Sequence, residues 1–566
     1  MKRLSGIAAS QGVAIGPAFV YRPEPLAFNE QIIQNPRTEI NRLIEAIEAV
    51  QGMLVALEAH TQEAIGEAEA KIFEVHRMFL ADPAFADEIK AIIQEEQLNA
   101  EAAVDRVSNE LMAQFSAIDD EYFRQRAVDI KDIAQRLIRQ LLGLEETTLA
   151  SLKNPSVIIA HDLTPSDTAS LNREMALGLC TEIGSNTSHT AILARSLGIP
   201  AVVGAGKLEL SSGTMVIIDG QSGELIIEPD AQTLAEYRTR QQARQRMRSL
   251  EIAQAQTPAV TLDGHQIEVV ANIGSVADAE YAIQMGAEGV GLLRTEFLFL
   301  QGDTLPSEDE QYQIYRAIAD VFQRMPLIVR TLDVGGDKDL PSIDIAKEQN
   351  PMLGQRAIRL CLARPEIFQT QLRAILRAGH ERNVKIMFPL IGSEEELHQA
   401  LYQLEQAKAN LRARNLPHAE NLDVGIMIEV PSAAVLADVM APHVDFFSIG
   451  TNDLAQYTLA VDRTNETVAH LADPLHPAVI RLIHQVIQAA HRQDKWVGLC
   501  GEMAGNPQAV PLLLGLGLDE FSMAAVSIPS VKALLRTISK TQAQEIAQRC
   551  LELPNLQRVR EFLDNP

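Results

Sequence analysis

A single pattern is repeated along the second half of the chain and narrows its possible folds sharply. Short apolar runs, each followed closely by polar residues, alternate there with segments of helical period. Strands that are apolar throughout are buried on both faces, and strands joined by helices form parallel sheets. Eight such units in roughly 300 residues predict a (β/α)8 TIM barrel over residues 259–566. The predicted strands are IEVVANI, GVGLL, LIVRTL, KIMFPLI, VGIMIEV, FFSIGT and WVGLC, with a weaker one near GQRAIRL.

The first part of the chain has α/β character on both sides of a helical segment. Residues 1–23 are rich in glycine with short apolar alternation, and residues 145–227 contain the runs SVIIA, AVVGAG, TMVIIDG and GELIIEP. Apolar runs bounded by Gly, Pro and Asp are typical of strands. We therefore expect residues 1–23 and 145–227 to form one α/β domain that carries the intervening segment as an insertion. Pro165 is expected near the start of a helix in this domain.

The inserted segment, residues 24–144, is predicted to be an all-α bundle of about four helices. Glycine becomes rare there, and apolar residues recur with helical period. The last of these helices is predicted to end at Gly143, because glycine readily adopts the conformation that terminates a helix. Its apolar face consists of Ile130, Ile133, Leu137 and Leu141. Residues 228–258 lack glycine and are dense in Gln, Arg and Ala, which predicts a long solvated linker helix before the barrel.

The charge balance and the cysteines exclude several classes of protein. A formal net charge of −26 argues against nucleic-acid binding, because phosphate backbones are held mainly by Lys and Arg. The 4 cysteines are scattered without a C-x-x-C pair, so neither a disulfide framework nor a zinc cluster is expected. No apolar window is long enough for a membrane span, and Gln11 and glycines interrupt the apolar run at the N-terminus. We expect a first strand there rather than a secretory signal, and the cytoplasm as the location.

Charged and polar residues follow almost every predicted barrel strand, where the catalytic groups of TIM barrels lie. Arginine forks match phosphate and carboxylate oxygens, and carboxylates such as Glu429 and Asp453 are the hard ligands that Mg²⁺ prefers. Together, the charged and polar residues at the strand ends predict a pocket for a small, doubly anionic phosphorylated acid together with Mg²⁺. The residues at these strand ends are Asn272, Arg294, Glu296, Arg330, Asp333, Arg356, Glu429, Asn452, Asp453, Arg463, Cys500 and Glu502.

Two structural alternatives remain open for this set. The arginines could form ion pairs that close the barrel end without binding a ligand. Cys500 ends an apolar strand, and a buried cysteine is usually an inert small apolar residue. Its position beside the arginines favours a functional role.

His189 lies in the segment GSNTSHTAILAR, at the predicted start of a short helix. Thr187 or Ser188 can cap this helix, Gly198 can end it, and Pro200 prevents its continuation. Free backbone N–H groups at a helix N-terminus favour a bound anion and a neutral imidazole. Such a ring is suited to accepting a phosphoryl group, with hydroxyl groups including Thr168 to orient it. No second His or Cys stands at metal-ligand spacing, whereas a role as general base stays open.

Several segments resemble the enzyme I family of the bacterial phosphoenolpyruvate:sugar phosphotransferase system. GSNTSHTAILAR is similar to the phosphohistidine signature of enzymes that use phosphoenolpyruvate (PEP), and DFFSIGTNDLAQYTLAVDR to their second signature. The resemblance extends over essentially the whole chain. Further similar segments are GAEGVGLLRTEFLF, VRTLDVGGDK, NPMLGQRAIR, IMIEVPSAA, GLCGEMAG and the helical AKIFEVHRMFLADP…DDEYFRQRAVDIKDI.

The resemblance implies a swivelling α/β phosphohistidine domain, an inserted helical domain, a linker helix and a TIM barrel. It implies that His189 is phosphorylated at Nε2 and that Cys500 protonates the enolate as pyruvate forms. It implies Mg²⁺ on Glu429 and Asp453. The helical insertion would dock the phosphocarrier protein HPr, and the barrel would form a homodimer. PEP would be bound by Arg294, Arg330, Asn452 and Arg463, with Arg356 assisting.

One departure from the family pattern lies beside the histidine. Members commonly have Gly-Gly-Arg before Thr-Ser-His, whereas this chain has Gly184-Ser185-Asn186. The missing cation leaves open which carrier protein is the partner. Two rivals from the same resemblance are a nitrogen-type enzyme I serving another HPr-like carrier and a non-catalytic regulator that binds PEP. A pyruvate-phosphate dikinase or PEP synthase is disfavoured, since no G-x-x-x-x-G-K-[ST] loop is present.

Overall fold

We describe the protein from a computed structural model of the 566-residue chain. Contacts between residues divide the chain into two compact units, Met1–Gln245 and Arg246–Pro566. The structure describes all residues except 23–25, 65–66, 118–120, 145–148, 150–151, 153, 165–166, 168–170, 172–174, 185–187, 301–303, 336–347, 464, 466–467 and 565–566.

The first unit contains an eight-stranded mixed sheet in the order β1-β8-β7-β3-β4-β5-β6-β2. Strands β3 to β6 pair in parallel, and the flanking pairs are antiparallel. Their bounds are Lys2–Ser5 (β1), Ile7–Ser10 (β2), Val13–Tyr21 (β3), Ser156–Ala160 (β4), Ala176–Thr181 (β5), Ala201–Val203 (β6), Met215–Asp219 (β7) and Glu224–Ile227 (β8). Strands from both ends of the first unit thus share one sheet, which confirms the α/β fold with a helical segment between.

Strand β5, with the sequence ALGLCT, was not among the strands predicted from the sequence. Alanine and glycine are poor strand formers, so the run carries little strand signal. Pairing with β4 and β6 on its two sides places it in the centre of the parallel part. The first residues, where a first strand was predicted, form three strands. Pro165, predicted to begin a helix, lies outside the described residues.

Five helices lie in the described residues of the segment predicted to hold about four. Asp82 caps the start of the third one, because its side chain accepts a hydrogen bond from Ala84 N at 2.9 Å and a proline takes the first helical position. The predicted face of Ile130, Ile133, Leu137 and Leu141 is buried as expected, and Gly143 has a positive φ of 65°. The helices are Pro36–Ala64 (α1), Glu67–Ala81 (α2), Pro83–Glu95 (α3), Ala100–Ala117 (α4) and Glu121–Leu142 (α5).

Among the described residues, one helix lies between β5 and β6 and another follows β8. Helix His189–Leu197 ends at Gly198, whose φ of 65° is the left-handed conformation expected of a terminating glycine. Helix Ala231–Gln254 is the predicted linker, and only Thr233 and Tyr237 are buried on it. In the part of the chain that the structure describes, none of the helices combines the length and apolarity that a bilayer crossing requires.

The second unit is a closed parallel barrel of eight strands, as predicted. Strands β10 to β17 pair in sequence, β17 pairs with β10, and β10 pairs with β11. The short Ala259–Val260 (β9) adds an antiparallel edge to β10. The barrel strands are Gln266–Ile273 (β10), Val290–Leu293 (β11), Leu327–Arg330 (β12), Val384–Phe388 (β13), Val424–Ile428 (β14), Phe446–Ile449 (β15), Trp496–Leu499 (β16) and Glu520–Ala524 (β17).

One predicted strand is wrong. The run GQRAIRL is a turn followed by helix Ile358–Ala363, and the eighth strand is β17 with the sequence EFSMA. Glu520 and Ser522 are both buried on β17, so polar side chains occupy positions where an apolar pattern was sought. The seven residues of GQRAIRL are too few for hydrophobic periodicity to separate a strand from a short helix.

Helices surround the barrel and cover its outer face. Two residues at the end of one outer helix hold the end of the linker helix against the barrel unit. Buried Lys532 donates to Ala255 O at 2.9 Å, and Arg536 donates to Gln254 O at 3.1 Å. The helices are Val276–Gln284, Glu296–Leu300, Glu308–Phe322, Ile358–Ala363, Pro365–Ala378, Glu394–Ala413, Pro431–Val435, Ala437–Met440, Thr451–Leu459, Pro477–His491, Val510–Leu516, Ile528–Leu535, Lys540–Glu552 and Leu556–Asp564. The 3₁₀ turns are Pro351–Leu353, Ala441–His443, Ala469–Leu471, Glu502–Gly505 and Ala525–Ser527.

Replacing Glu520 by Gln is expected to remove a pH-dependent loss of stability from the barrel. Glu520 Oε1 is buried without a hydrogen-bond partner among the described residues, and burial, with Glu268 nearby, raises the pKa of Glu520 to about 8. The folded state therefore keeps a proton that the unfolded chain loses near pH 4.3, so stability falls as pH rises from about 4 to about 8. The loss is on the order of 1.4 kcal/mol per unit of pKa shift, a few kcal/mol in all.

Urea unfolding followed by the fluorescence of Trp496, the single tryptophan, measures this effect at pH 5 and pH 8. The stability of Glu520→Gln relative to the wild type should rise between the two pH values. Equal pH dependence in both proteins would contradict a protonated Glu520. A matched Glu545→Gln change on an exposed helix position should leave the pH dependence unaltered.

Candidate active site

The predicted site residues gather at the carboxyl ends of the barrel strands. Arg330 is the last residue of β12, Glu429 follows β14 directly, and Cys500 follows β16 directly. Asn452 and Asp453 lie in the first turn of the helix after β15, and Arg294 follows β11. Because all eight strands are parallel, these ends meet on one face of the barrel, which we call its mouth.

Arg330 is buried and lies beside two carboxylates. Its Nη1 lies 3.0 Å from Asp333 Oδ2, and its Nη2 contacts Glu296. Burial alone would lower the pKa of Arg330, but the carboxylates of Glu296 and Asp333 raise it, so the guanidinium stays charged. Its buried Nε has no hydrogen-bond partner among the described residues, which leaves a donor for a bound anion.

Arg356 links two carboxylates across the mouth. Its Nε lies 3.1 Å from Asp333 Oδ1 and its Nη2 lies 3.3 Å from Asp333 Oδ2, while its Nη1 lies 3.2 Å from Asp453 Oδ1. Burial opposes the charge, but Asp333 and Asp453 raise the pKa of Arg356. The arginine is therefore a fixed cation that neutralises two acids of the mouth.

The backbone before helix Ile358–Ala363 delivers Arg356 to this position. Ala357 adopts a positive φ of 52° and donates its N–H to Val334 O at 3.0 Å. Gly335 has a φ of 94°, and a Cβ at that position would lie 2.5 Å from Gln355 O. Two left-handed residues thus hold an irregular segment against the end of β12, where a strand had been predicted.

Glu429 and Asp453 are the two carboxylates suited to hold a metal ion. Glu429 is 1% exposed, and its Oε1 accepts the Leu390 N–H at 2.6 Å. Burial, and then Asp453 and Asp333, raise the pKa of Glu429 to about 8. A bound divalent cation would reverse this shift, since it stabilises neighbouring anionic carboxylates. A Cβ at Gly450 would lie 3.1 Å from Glu429 Oε2, so glycine leaves space beside this oxygen.

Cys500 is a buried thiol at the same face. Its Sγ lies 3.8 Å from Ile449 O, and burial raises the pKa of Cys500 to about 11 despite the nearby Ser448, Arg330 and Arg294. The thiol is therefore protonated at neutral pH. Asn272 donates to Cys500 O at 3.0 Å, and Asn452 Oδ1 accepts the Glu502 N–H at 3.3 Å.

Arg294 and Arg463 differ from the buried arginines in their exposure. Arg294 is exposed, and Arg463 is half-buried with its Nη2 3.6 Å from Asp453 Oδ1. Arg330 and Arg356 thus hold buried carboxylates in place, whereas Arg294 faces solvent. A phosphorylated carboxylic acid matches the exposed Arg294 and the unpartnered Arg330 Nε.

A buried polar network behind Arg330 was not anticipated from the sequence. Gln371 Nε2 donates to Thr295 Oγ1 at 3.1 Å, and Thr295 Oγ1 donates to Arg330 O at 2.9 Å. Gln371 Oε1 also accepts the Leu332 N–H at 2.8 Å. The network fixes the backbone that carries Arg330. Its one sequence signal is a glutamine on the apolar face of helix Pro365–Ala378.

His189 is in the first unit, at the first residue of helix His189–Leu197. This position confirms the predicted helix start, and the position of its side chain lies outside the described structure. Thr190 is buried, and its Oγ1 has no hydrogen-bond partner among the described residues. The predicted orienting residues Thr168 and Thr187, and the divergent Ser185 and Asn186, lie outside the described residues.

Family models match three stretches of the chain. The PEP-utilising enzyme PEP-binding domain matches residues 248–540, the N-terminal domain matches residues 5–126, and the mobile domain matches residues 152–223. The phosphoenolpyruvate-protein phosphotransferase of Geobacillus stearothermophilus is 46% identical over 99% of this chain and 98% of its own. The chain belongs to the phosphoenolpyruvate-protein phosphotransferase family.

Other members of the phosphoenolpyruvate-protein phosphotransferase family match as completely. The Bacillus subtilis (strain 168) protein of that name is 44% identical over 100% of this chain and 99% of its own. The Haemophilus influenzae protein of that name is 43% identical over 99% of this chain and 98% of its own. These matches confirm the family resemblance inferred from the motifs. The domain boundaries and the roles of the site residues stay predictions.

Proposed function

We propose that this member of the family moves the phosphoryl group of PEP to Nε2 of its own His189 and then to a histidine of HPr, releasing pyruvate. The observation that most supports this is the barrel mouth, where buried acids and fixed arginines surround an unpartnered guanidinium nitrogen. The relatives' shared name describes the same donor and a protein acceptor.

In the proposed binding step, Arg294, Arg330 and Arg463 hold the phosphate and carboxylate of PEP, with Asn452 as a further donor. Arg356 assists by fixing Asp333 and Asp453. Glu429 and Asp453 would hold Mg²⁺, which supplies stabilisation of charge on the phosphoryl group when bound. The hard oxygen ligands and the raised pKa of Glu429 fit such an ion.

In the proposed transfer step, the bond between phosphorus and the enolate oxygen breaks as a bond to His189 Nε2 forms. A neutral ring at a helix N-terminus suits this role, because free N–H groups stabilise the incoming anion. The resulting enolate accepts a proton at carbon from the Cys500 thiol, which yields pyruvate. His189 and the barrel belong to different units, so the reacting atoms must be brought within about 3–3.5 Å. Helix Ala231–Gln254 is the proposed hinge arm.

The proposed partner surface is on the helical segment. Phe73 and Phe85 are buried in its core, whereas Met78 is 67% exposed on α2 and Met53 is 39% exposed on α1. Exposed apolar side chains on a strongly acidic chain suit a small basic partner such as HPr. We also propose a cytoplasmic homodimer formed through the barrel.

Labelled PEP tests the proposal directly. Incubation of the purified protein with ³²P-labelled PEP and Mg²⁺ should give an acid-labile, base-stable label on the protein, and added HPr should remove it. An HPr-like nitrogen-type carrier, tested beside HPr, identifies the natural partner by the faster transfer. Binding of PEP without labelling would instead identify a non-catalytic regulator and contradict the proposal.

Replacing Cys500 by Ala is expected to slow pyruvate formation by about 10²–10⁴-fold, the usual contribution of a general acid. The raised pKa of Cys500 keeps the wild-type thiol protonated at neutral pH. Phosphorylation of His189 in a single turnover should be less affected than steady-state pyruvate release. Cys361→Ala is the matched control, because Cys361 is an equally buried thiol that donates to Leu332 O behind the mouth. Equal pyruvate release by both variants would contradict a proton donor at Cys500.

A further inference from the structure

A second group of metal-binding side chains lies on the barrel unit, separate from the mouth carboxylates. It consists of Glu394, His398 and His443, each with one ligand atom within 4.8 Å of the others. It is the one such grouping of three or more His, Cys, Asp or Glu over the part of the chain that the structure describes. None of these residues takes part in the proposed phosphoryl transfer.

Two of the three residues are aligned by a helix. Glu394 and His398 are four residues apart in helix Glu394–Ala413, which places them on one face. Ser393 caps this helix, its Oγ accepting the Glu396 N–H at 3.3 Å, so the first turn is held in shape.

The third residue comes from a separate element. His443 ends the 3₁₀ turn Ala441–His443, and its Nε2 lies 3.4 Å from Glu394 Oε1. The rings of His398 and His443 are 4.7 Å apart between centroids and nearly perpendicular at 83°. Residues from two elements therefore converge on one point instead of lying along a single helix.

The donor types select the kind of ion. Imidazole nitrogen suits Zn²⁺ and its neighbours in the first transition row, whereas Mg²⁺ prefers oxygen ligands. Both histidines are exposed and Glu394 is half-buried, so a hydrated ion reaches the group from solvent. Ligand atoms around tetrahedral Zn²⁺ are roughly 3.3 Å apart. The exposed side chains need to move inward by about an ångström to reach that spacing.

We propose that Glu394, His398 and His443 form a Zn²⁺ site with one coordination position left for water, distinct from Glu429 and Asp453, the residues proposed to hold Mg²⁺. The set of two nitrogens and one carboxylate oxygen, with a fourth position open, is a known pattern of zinc ligation. Since the ion would join helix Glu394–Ala413 to the turn at His443, its binding would stabilise the folded barrel.

Titration calorimetry with Zn²⁺ on the metal-free full-length protein tests the proposal. The protein used in the titration carries Glu429→Gln and Asp453→Asn, which prevent Zn²⁺ from binding to the carboxylates at the barrel mouth. We expect one ion per chain, a raised barrel melting temperature and no displacement by excess Mg²⁺. Bound Co²⁺, used as a probe, should show the visible absorption of nitrogen ligation.

Single substitutions then locate the site. His398→Ala and His443→Ala should each weaken Zn²⁺ binding at least about 100-fold, because loss of a direct ligand costs no less than loss of an outer partner. His470→Ala is the matched control, since His470 is also exposed and lies outside the grouping. No bound Zn²⁺, a stoichiometry of half an ion per chain, or equal binding by all variants would overturn the proposal.

Discussion

Replacing His189 by Ala is expected to lower the rate of PEP-dependent phosphorylation of HPr at least about 10⁴-fold. No other side chain in the proposed mechanism can carry the phosphoryl group between PEP and HPr. The position of His189 at the first residue of helix His189–Leu197 makes its backbone conformation compatible with alanine, which is the best helix former. The loss should therefore reflect chemistry and not misfolding.

The measurement is transfer of ³²P from PEP to HPr in the presence of Mg²⁺. PEP binding by the variant, measured by calorimetry, should stay close to wild type because the arginines belong to the barrel unit. His161→Ala is the matched control, since His161 lies in the same α/β fold, pairs with Glu182 at 2.8 Å and is largely exposed. Comparable transfer by His189→Ala and wild type would refute the proposed relay.

Replacing Glu429 by Gln is expected to lower PEP-dependent pyruvate release about 10³-fold, equivalent to about 4 kcal/mol in the transition state. Glutamine keeps the shape of the side chain and an oxygen that can accept the Leu390 N–H. It removes one of the two negative charges proposed to hold Mg²⁺. The fold should persist while metal affinity falls.

The pH dependence of metal binding separates this effect from general damage. A carboxyl group must lose its proton to bind a metal ion, and burial, with Asp453 and Asp333 nearby, raises the pKa of Glu429 to about 8. Wild-type Mg²⁺ affinity should therefore rise as pH increases towards 8, whereas Glu429→Gln should lack this rise. Mg²⁺ titrations of pyruvate release at pH 6.5 and pH 8.5 measure the difference.

Glu520→Gln is a matched control for this prediction. Glu520 is equally buried with a pKa raised to about 8, but it begins β17 at the opposite end of the barrel from the mouth. Its replacement should leave both kcat and Mg²⁺ dependence close to wild type. If the two variants lose activity equally, the loss stems from the barrel's stability and not from a metal site at Glu429.

Part of the site could be predicted because strand ends can be read from local patterns. Arg330, Glu429, Asn452, Asp453 and Cys500 each follow a run of apolar residues long enough to identify as a barrel strand. Parallel strands bring their carboxyl ends to one face, so these residues meet whatever the details of the loops. His189 was placed at a helix start by the same kind of local signal.

Other parts depend on pairings that no local pattern contains. Strand β17 carries buried Glu520 and Ser522, and its identity follows from pairing with β16 and β10 on either side. Arg356 reaches the mouth through the left-handed Ala357 and not through a strand. Gln371 supports Arg330 across a gap of 41 positions in the chain, a contact set by helix packing.

Local sequence patterns are enough to predict the βα alternation of the second unit, the helical insertion, the linker helix and the charged residues at the strand ends. These features follow from hydrophobic periodicity and turn residues, which act over a few neighbouring positions. Tertiary packing, by contrast, sets which strand closes the barrel and which acids neutralise Arg330 and Arg356, and it brings Glu394, His398 and His443 together. Such contacts join residues far apart in the chain, and only the packing of complete elements brings them within bonding distance.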